Sequence, residues 1–204
     1  MDSQAADPRR TWLGLALRLA APYLAVVVFW CGFHHAWLAI VAYHAQILWW
    51  LRGTRPKLKK PRPTRWTLLI LPSALAGPAL FFLLPHIARI DLAVWLDRYH
   101  LTGPALHAMI FYFGVVHPVL EQLHWAPLRE RTALAHAAFA GYHLLVLYSL
   151  LPAPWLVAGF VVLGLASGSW QRMARASGSL WPAIVSQAAA DLGIVLVATI
   201  RFMG

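Results

Sequence analysis

From Trp66 to His86 the chain reads WTLLILPSALAGPALFFLLPH, without one Asp, Glu, Lys or Arg. Roughly 20 apolar helical residues cross the hydrocarbon of a bilayer, so this stretch is a candidate membrane span. Runs of the same kind occupy 12–51, 103–125, 132–151, 153–171 and 180–202. A transmembrane β-barrel would show segments of about ten residues with alternating polarity. These runs are continuous, and the sequence predicts an all-α, polytopic membrane helix bundle. Composition agrees: 60% of the 204 residues are apolar and 12% are charged, against about 25% charged in soluble domains. That much apolar surface excludes a soluble domain and a disordered chain. The single cysteine, Cys31, excludes an internal disulfide and any cysteine-based zinc site.

Charge sets the topology. The chain carries 17 Lys and Arg against 7 Asp and Glu, a net charge of +10. In a membrane protein such an excess reports loop orientation and anionic headgroups rather than nucleic acid. Arg9 and Arg10 precede the run 12–51, and seven basic residues follow it in the loop 52–65 (Arg52, Arg55, Lys57, Lys59, Lys60, Arg62, Arg65). Cytoplasmic flanks on both sides require an even number of crossings, so 12–51 reads as two short spans turning near Phe33-His34-His35. Arg129 and Arg131 in the loop 126–131, and Arg172 and Arg175 in the loop 172–179, then also fall inside, with the uncharged turn Leu151–Pro154 outside. The expectation is seven spans, or six if 12–51 is one kinked helix, with the N-terminus cytoplasmic. The leader holds Asp2 and Asp7 and the run is broken by Pro22, so it reads as a first span and not as a cleaved signal. Residues 1–204 read as one membrane domain. The proline-bearing loop 52–65 reads as a non-helical topology determinant beside anionic lipid.

Within 89–100, Leu92, Trp95, Leu96 and Tyr99 follow the i, i+3, i+4, i+7 spacing of an amphipathic helix lying in the interface. Trp12, Trp49, Trp50, Trp66, Trp155, Trp170 and Trp181 fall near span ends, where tryptophans form interfacial belts.

Ionisable groups inside spans are expensive and usually functional. Two acids fall there, Glu121 and Asp191. His117, Glu121 and His124 are spaced i, i+4, i+7 on one helical face. His136 and His143 share a face of the next span, with Phe139 four residues before His143. Gln187 and Asp191 share a face of the last span. The simplest packing turns these stripes toward one another. A buried carboxylate beside imidazoles can act as a general base, and His117, Glu121, His124 and His143 could equally hold a divalent metal. His34, His44, His86, His100 and His107 read as histidines that hydrogen-bond across helix interfaces.

The motifs add a resemblance. His117-Pro118-Val119-Leu120-Glu121-Gln122-Leu123-His124-Trp125-Ala126 resembles the first motif, Glu-Glu-x-x-x-Arg, of the CAAX-protease and bacteriocin-processing (CPBP, or Abi) family of intramembrane glutamic endopeptidases. Phe139-Ala140-Gly141-Tyr142-His143 matches the second, Phe-x-x-x-His. Gln187-Ala188-Ala189-Ala190-Asp191, after the lead-in Ser177-Gly178-Ser179-Leu180-Trp181-Pro182-Ala183-Ile184, partly matches the third, His-x-x-x-Asn/Asp. The family-like core is about 103–204. The resemblance implies Glu121 as the base that activates a water, His143 as its partner, and Gln187 and Asp191 at the oxyanion positions. Gln122, His124, His117 and Phe139 are accessory. Three positions depart from the pattern: Gln122 replaces the second glutamate, Ala126 the arginine, and Gln187 the histidine.

Three readings of function follow. One is an intramembrane endopeptidase cutting a peptide or lipidated-protein substrate at the membrane. Another is a catalytically silent relative that binds or escorts a partner. The last is a histidine-rich metal or cofactor protein. Few lysines outside one loop, with abundant Ala, Leu, Trp and Arg, point to a GC-rich bacterial gene and hence to a bacterial inner membrane.

Overall fold

The computed structural model describes residues 11–52 and 58–203. Arg9, Arg10, Arg55, Pro56 and Lys57, which carry part of the topology and lipid expectations, lie outside the described residues. The described chain is helical, with no strand among its residues. Helix α1 (Trp12–Ala25) runs on through a π-helical segment, Val26–Gly32; α2 is Ala36–Leu51. A 3₁₀ turn (Arg65–Leu69) leads into α3 (Ile70–Ala74) and α4 (Ala76–Ile87). The short α5 is Leu92–Arg98. Helix α6 (Gly103–Phe111) continues through π turns, Tyr112–Val116, into α7 (His117–Arg129). Helices α8 (Leu134–Leu147), α9 (Ala153–Ser177) and α10 (Trp181–Met203) complete the chain.

Five of these stretches are long and apolar enough to cross a membrane: Trp12–Gly32, Arg65–Ile87, Gly103–Arg129, Ala153–Ser177 and Trp181–Arg201. Two apolar helices are shorter, Ala36–Leu51 and Leu134–Leu147. Chain order and loop contacts nevertheless sort all seven into one alternating bundle. At one end the Arg62 N–H donates to the Ser177 carbonyl at 2.9 Å, Ser179 Oγ to the Lys59 carbonyl at 2.6 Å, and Arg175 pairs with Glu130 at 2.8 Å. At the other end the Ala36 N–H donates to the Tyr99 carbonyl at 3.1 Å and the Arg89 N–H to the Leu150 carbonyl at 2.8 Å. The basic loops therefore gather at one end, and the break at Phe33–His35 lies at the other.

Local sequence explains the departures from ideal helix. Pro118 has no N–H to return to the preceding turn, and the backbone just before it widens, the His117 N–H donating to the Tyr112 carbonyl five residues back. A π turn brings residues five apart onto one side, which aligns Tyr112 with His117. Helix α9 does not stop at 171 as the hydropathy suggests. It runs to Ser177 and ends at Gly178, whose φ of 66° is the left-handed cap that glycine adopts without strain. Arg172 and Arg175 are thus helical and not in a loop. Gly77 of α4 and Gly193 of α10 let two backbones touch: a Cβ built on Gly77 would lie 2.7 Å from the Gly193 Cα, the close approach small residues permit between membrane helices.

The amphipathic helix is α5, with Trp95, Leu96 and Tyr99 buried and Asp91, Asp97 and Arg98 exposed. Its apolar face closes the end of the bundle, where Tyr99 stacks on Trp30 at 4.2 Å. Trp12, Trp49, Trp155 and Trp181 are exposed, which the belt expectation requires. That expectation fails for Trp170, which is buried and donates to Ser186 Oγ at 3.1 Å. Because α9 extends past the expected loop, Trp170 sits inside the bundle.

Candidate functional site

The centre is Glu121, 0% exposed on α7. Its Oε1 accepts from the Tyr43 hydroxyl of α2 at 2.6 Å and from the Tyr142 hydroxyl of α8 in a short bond. Its Oε2 accepts from Gln187 Nε2 of α10 at 2.7 Å and from His117 Nε2 at 3.2 Å. A carboxylate has about four acceptor directions, and four protein donors from four helices fill them. Charge-assisted bonds of this kind are what make a buried anion tolerable. Trp125 Nε1 donates to the Tyr43 oxygen at 2.7 Å, so the Tyr43 proton is directed at Glu121.

From this hub one chain of bonds follows α7 toward the basic end. Gln122 Nε2 donates to Gln187 Oε1 at 2.7 Å, and Arg129 Nη1 donates to Gln122 Oε1 at 2.9 Å. Arg129 Nε donates to Ser167 Oγ at 2.8 Å, and His136 Nδ1 lies 2.9 Å from the same oxygen. The buried guanidinium rests over the rings of Phe139 and Trp170, 5.4 and 5.5 Å from their centroids. These cation–π contacts partly replace water around the charge. At the exposed edge Arg175 donates to both oxygens of Glu130. Those bonds hold the Glu130 carboxyl below the usual range.

A second chain leads the other way. His117 Nδ1 lies 3.1 Å from His44 Nε2, and His44 Nδ1 makes a short bond with the Tyr112 hydroxyl. Neutral rings satisfy every link in one sense: the Tyr112 O–H donates to His44, the His44 N–H to His117, and the His117 N–H to Glu121.

Of the residues expected in the site, Glu121, His117, Gln122, Gln187 and Asp191 come together. Asp191 Oδ2 accepts from Gln187 Nε2 at 3.3 Å and lies 4.0 Å from His117 Nε2. Phe139 forms a wall against Trp125, Tyr142 and Trp170. His143 is adjacent without a hydrogen bond to Glu121. Its Nδ1 pairs with the Phe139 carbonyl at 2.8 Å, and its ring stacks on Tyr142 at 4.0 Å. His124 turns away, and its Nε2 faces the Arg18 carbonyl at 3.2 Å. The four side chains considered as metal ligands are therefore divided. Among the described residues no three His, Cys, Asp or Glu side chains are grouped to hold a metal ion.

Tyr112 and four further participants escape the sequence reading. Tyr43 sits in an apolar span with no motif around it. His44, which the sequence presents as an ordinary interface histidine, instead links Tyr112 to His117. Tyr142 occupies a variable position of Phe-x-x-x-His. Arg129 lies three residues beyond the motif arginine, yet reaches back to Gln122. A helical Cα–Cβ bond tilts toward the N-terminus, and a side chain as long as arginine covers the remaining two turns. The one signal available for Tyr43 and Tyr142 was phase, since each falls on the bundle-facing side of its helix.

No protein-family model matches the chain, and no curated protein and no solved structure matches it.

Proposed function

We propose that this chain is an intramembrane endopeptidase resembling the CPBP family, seated in a bacterial inner membrane with seven spans and a cytoplasmic N-terminus, its basic loop 52–65 beside anionic headgroups. One observation supports the reading: Glu121 of the first motif, on α7, is hydrogen-bonded to Gln187 of the third, on α10, which also reaches Asp191 of the same motif. In such a reaction Glu121 takes a proton from water, with His143 beside it. The hydroxide adds to the scissile carbonyl carbon, and Gln187 Nε2 turns to the oxyanion. The C–N bond then breaks and the proton passes to the leaving amine. The substrate class is a peptide or lipidated-protein segment at the membrane.

A second reading is a catalytically silent relative that binds a partner protein. It is favoured by the occupation of all four acceptor directions of Glu121 by the protein itself. Comparison of new protein N-termini in bacterial membranes carrying the full chain or its Glu121→Gln variant separates the two. Products near membrane surfaces that vanish in the variant, with the melting temperature retained, support the peptidase. Identical termini from both overturn it and leave the silent relative, for which crosslinking identifies the partner. Gln187→Leu, tested alongside, covers the case in which Glu121→Gln fails to fold.

A further inference from the structure

Helices α8 and α9 flank a groove of about 550 Å³ on one side of the bundle. Its wall changes character along α9: Phe160, Gly164 and Gly168 come first, then Gln171, Arg172 and Arg175; His136 of α8 faces the polar part. Gly164 and Gly168 have the spacing that elsewhere brings two membrane helices into backbone contact. Here a Cβ built on either glycine would meet nothing within 4 Å, so the pair opens a slot and closes no contact.

Phe160 and Arg175 are fifteen residues apart, about 22 Å of helix. One leaflet with its headgroups is about 20–22 Å thick. The groove is apolar at the depth of acyl chains and cationic at the end where the basic loops gather. The acid at that rim, Glu130, is engaged by Arg175 and Gln171, whereas Arg172 is exposed beside the Trp66 ring. We infer that this groove holds one anionic phospholipid, its phosphate at Arg172 and one acyl chain along Gly168, Gly164 and Phe160. The inference is independent of what Glu121 does.

The test uses the purified full chain in nanodiscs of equal phosphatidylglycerol and phosphatidylcholine, released into native mass spectrometry. We expect one retained phosphatidylglycerol in preference to phosphatidylcholine. Arg172→Gln should lower that preference about fivefold, the worth of one basic residue near a lipid surface. Gly168→Leu, which fills open space, should abolish retention without lowering the melting temperature. Lys59→Gln with Lys60→Gln, in the basic loop, should leave retention unchanged, and added inorganic phosphate should not displace the lipid. Equal retention of the two lipids would overturn the inference. So would a preference that survives both groove variants, one that follows the loop lysines, or retention of a protein helix in place of lipid.

Discussion

Gln122 and Gln187 both depart from the resembled motifs, and the structure ties the two departures together. Gln122 Nε2 donates to Gln187 Oε1 at 2.7 Å, and Gln187 Nε2 donates to Glu121. A glutamate at 122 would set one acceptor against another. A histidine at 187 can donate on both sides when doubly protonated, and so suits a glutamate at 122. Gln122→Glu alone should therefore destabilise the fold. Stranding a buried acceptor costs about 1–3 kcal/mol, and a second anion beside Glu121 adds repulsion that Arg129, 2.9 Å from Gln122 Oε1, partly offsets. A net loss of about 2 kcal/mol corresponds to a melting temperature lower by roughly 4–8 °C in a chain of this size. Gln122→Glu combined with Gln187→His should recover at least half of it, giving a coupling energy of about 1–2 kcal/mol, in the range measured for residues in direct contact. The assay is thermal unfolding of the four purified proteins in detergent, followed with a thiol dye at the lone cysteine, Cys31. A single variant that melts within 1 °C of the parent, or two changes that simply add, would refute the pairing of the two amides.

Other outcomes can be checked with the same preparations. Tyr43→Phe should cost about 3 kcal/mol, because it removes a bond to an anion and strands Trp125 Nε1; Tyr142→Phe, which leaves the Trp125 N–H paired, should cost less, and the reverse order in melting temperature contradicts the network. Gly77→Leu should abolish the folded yield from membranes, since its Cβ would start 2.7 Å from the Gly193 backbone; normal yield would mean that the α4–α10 contact is not close. Arg175 lowers the Glu130 pKa, so the pair stabilises above the usual carboxyl pKa and the effect is lost as pH falls through the lowered value. Both side chains are exposed, so water and salt screen the pair and its contribution is small. Glu130→Gln should accordingly melt slightly below the parent at neutral pH and level with it in acid or high salt; a gap that widens in acid reverses the sign. In a Cys31→Ser background, single cysteines at Lys60 and at His34 should label from opposite sides of sealed vesicles; labelling from one side removes the alternating topology.

The helices were legible because hydrophobic runs long enough for a bilayer leave little choice, and the loop charges fixed the turn at Phe33–His35. Helix ends were less legible. The end of α9 depends on Gly178, which hydropathy does not weigh, and moving it took Arg172 and Arg175 from loop to helix and Trp170 from belt to core. The site was legible where chemistry is rare. Two acids inside apolar runs led to Glu121 and Asp191, and i, i+4 spacing added His117 and Gln187. Residues whose role comes from neighbours on other helices were not legible. Tyr43, His44 and Tyr142 act because α2 and α8 happen to face α7 there, and no pattern within their own segments records it. His124 shows the converse, since it shares the face of His117 and Glu121 but lies one turn further along, where α1 is the neighbour.

The file Tyr112–His44–His117–Glu121 has a direction, with every hydrogen aimed at the carboxylate. Inverting one link alone would set two hydrogens, or two lone pairs, against each other. A carboxylate only accepts, so the three donors have one consistent arrangement while Glu121 is ionised, and reversing the file requires a proton on Glu121. Loss of the Tyr112 hydroxyl, about 13 Å along the helix from Glu121 by the rise of nine residues, removes the donor that sets the direction of both imidazoles ahead of the carboxylate. The π turn before Pro118, which aligns Tyr112 with His117, makes the outermost hydroxyl and the innermost acid the two ends of one directed file.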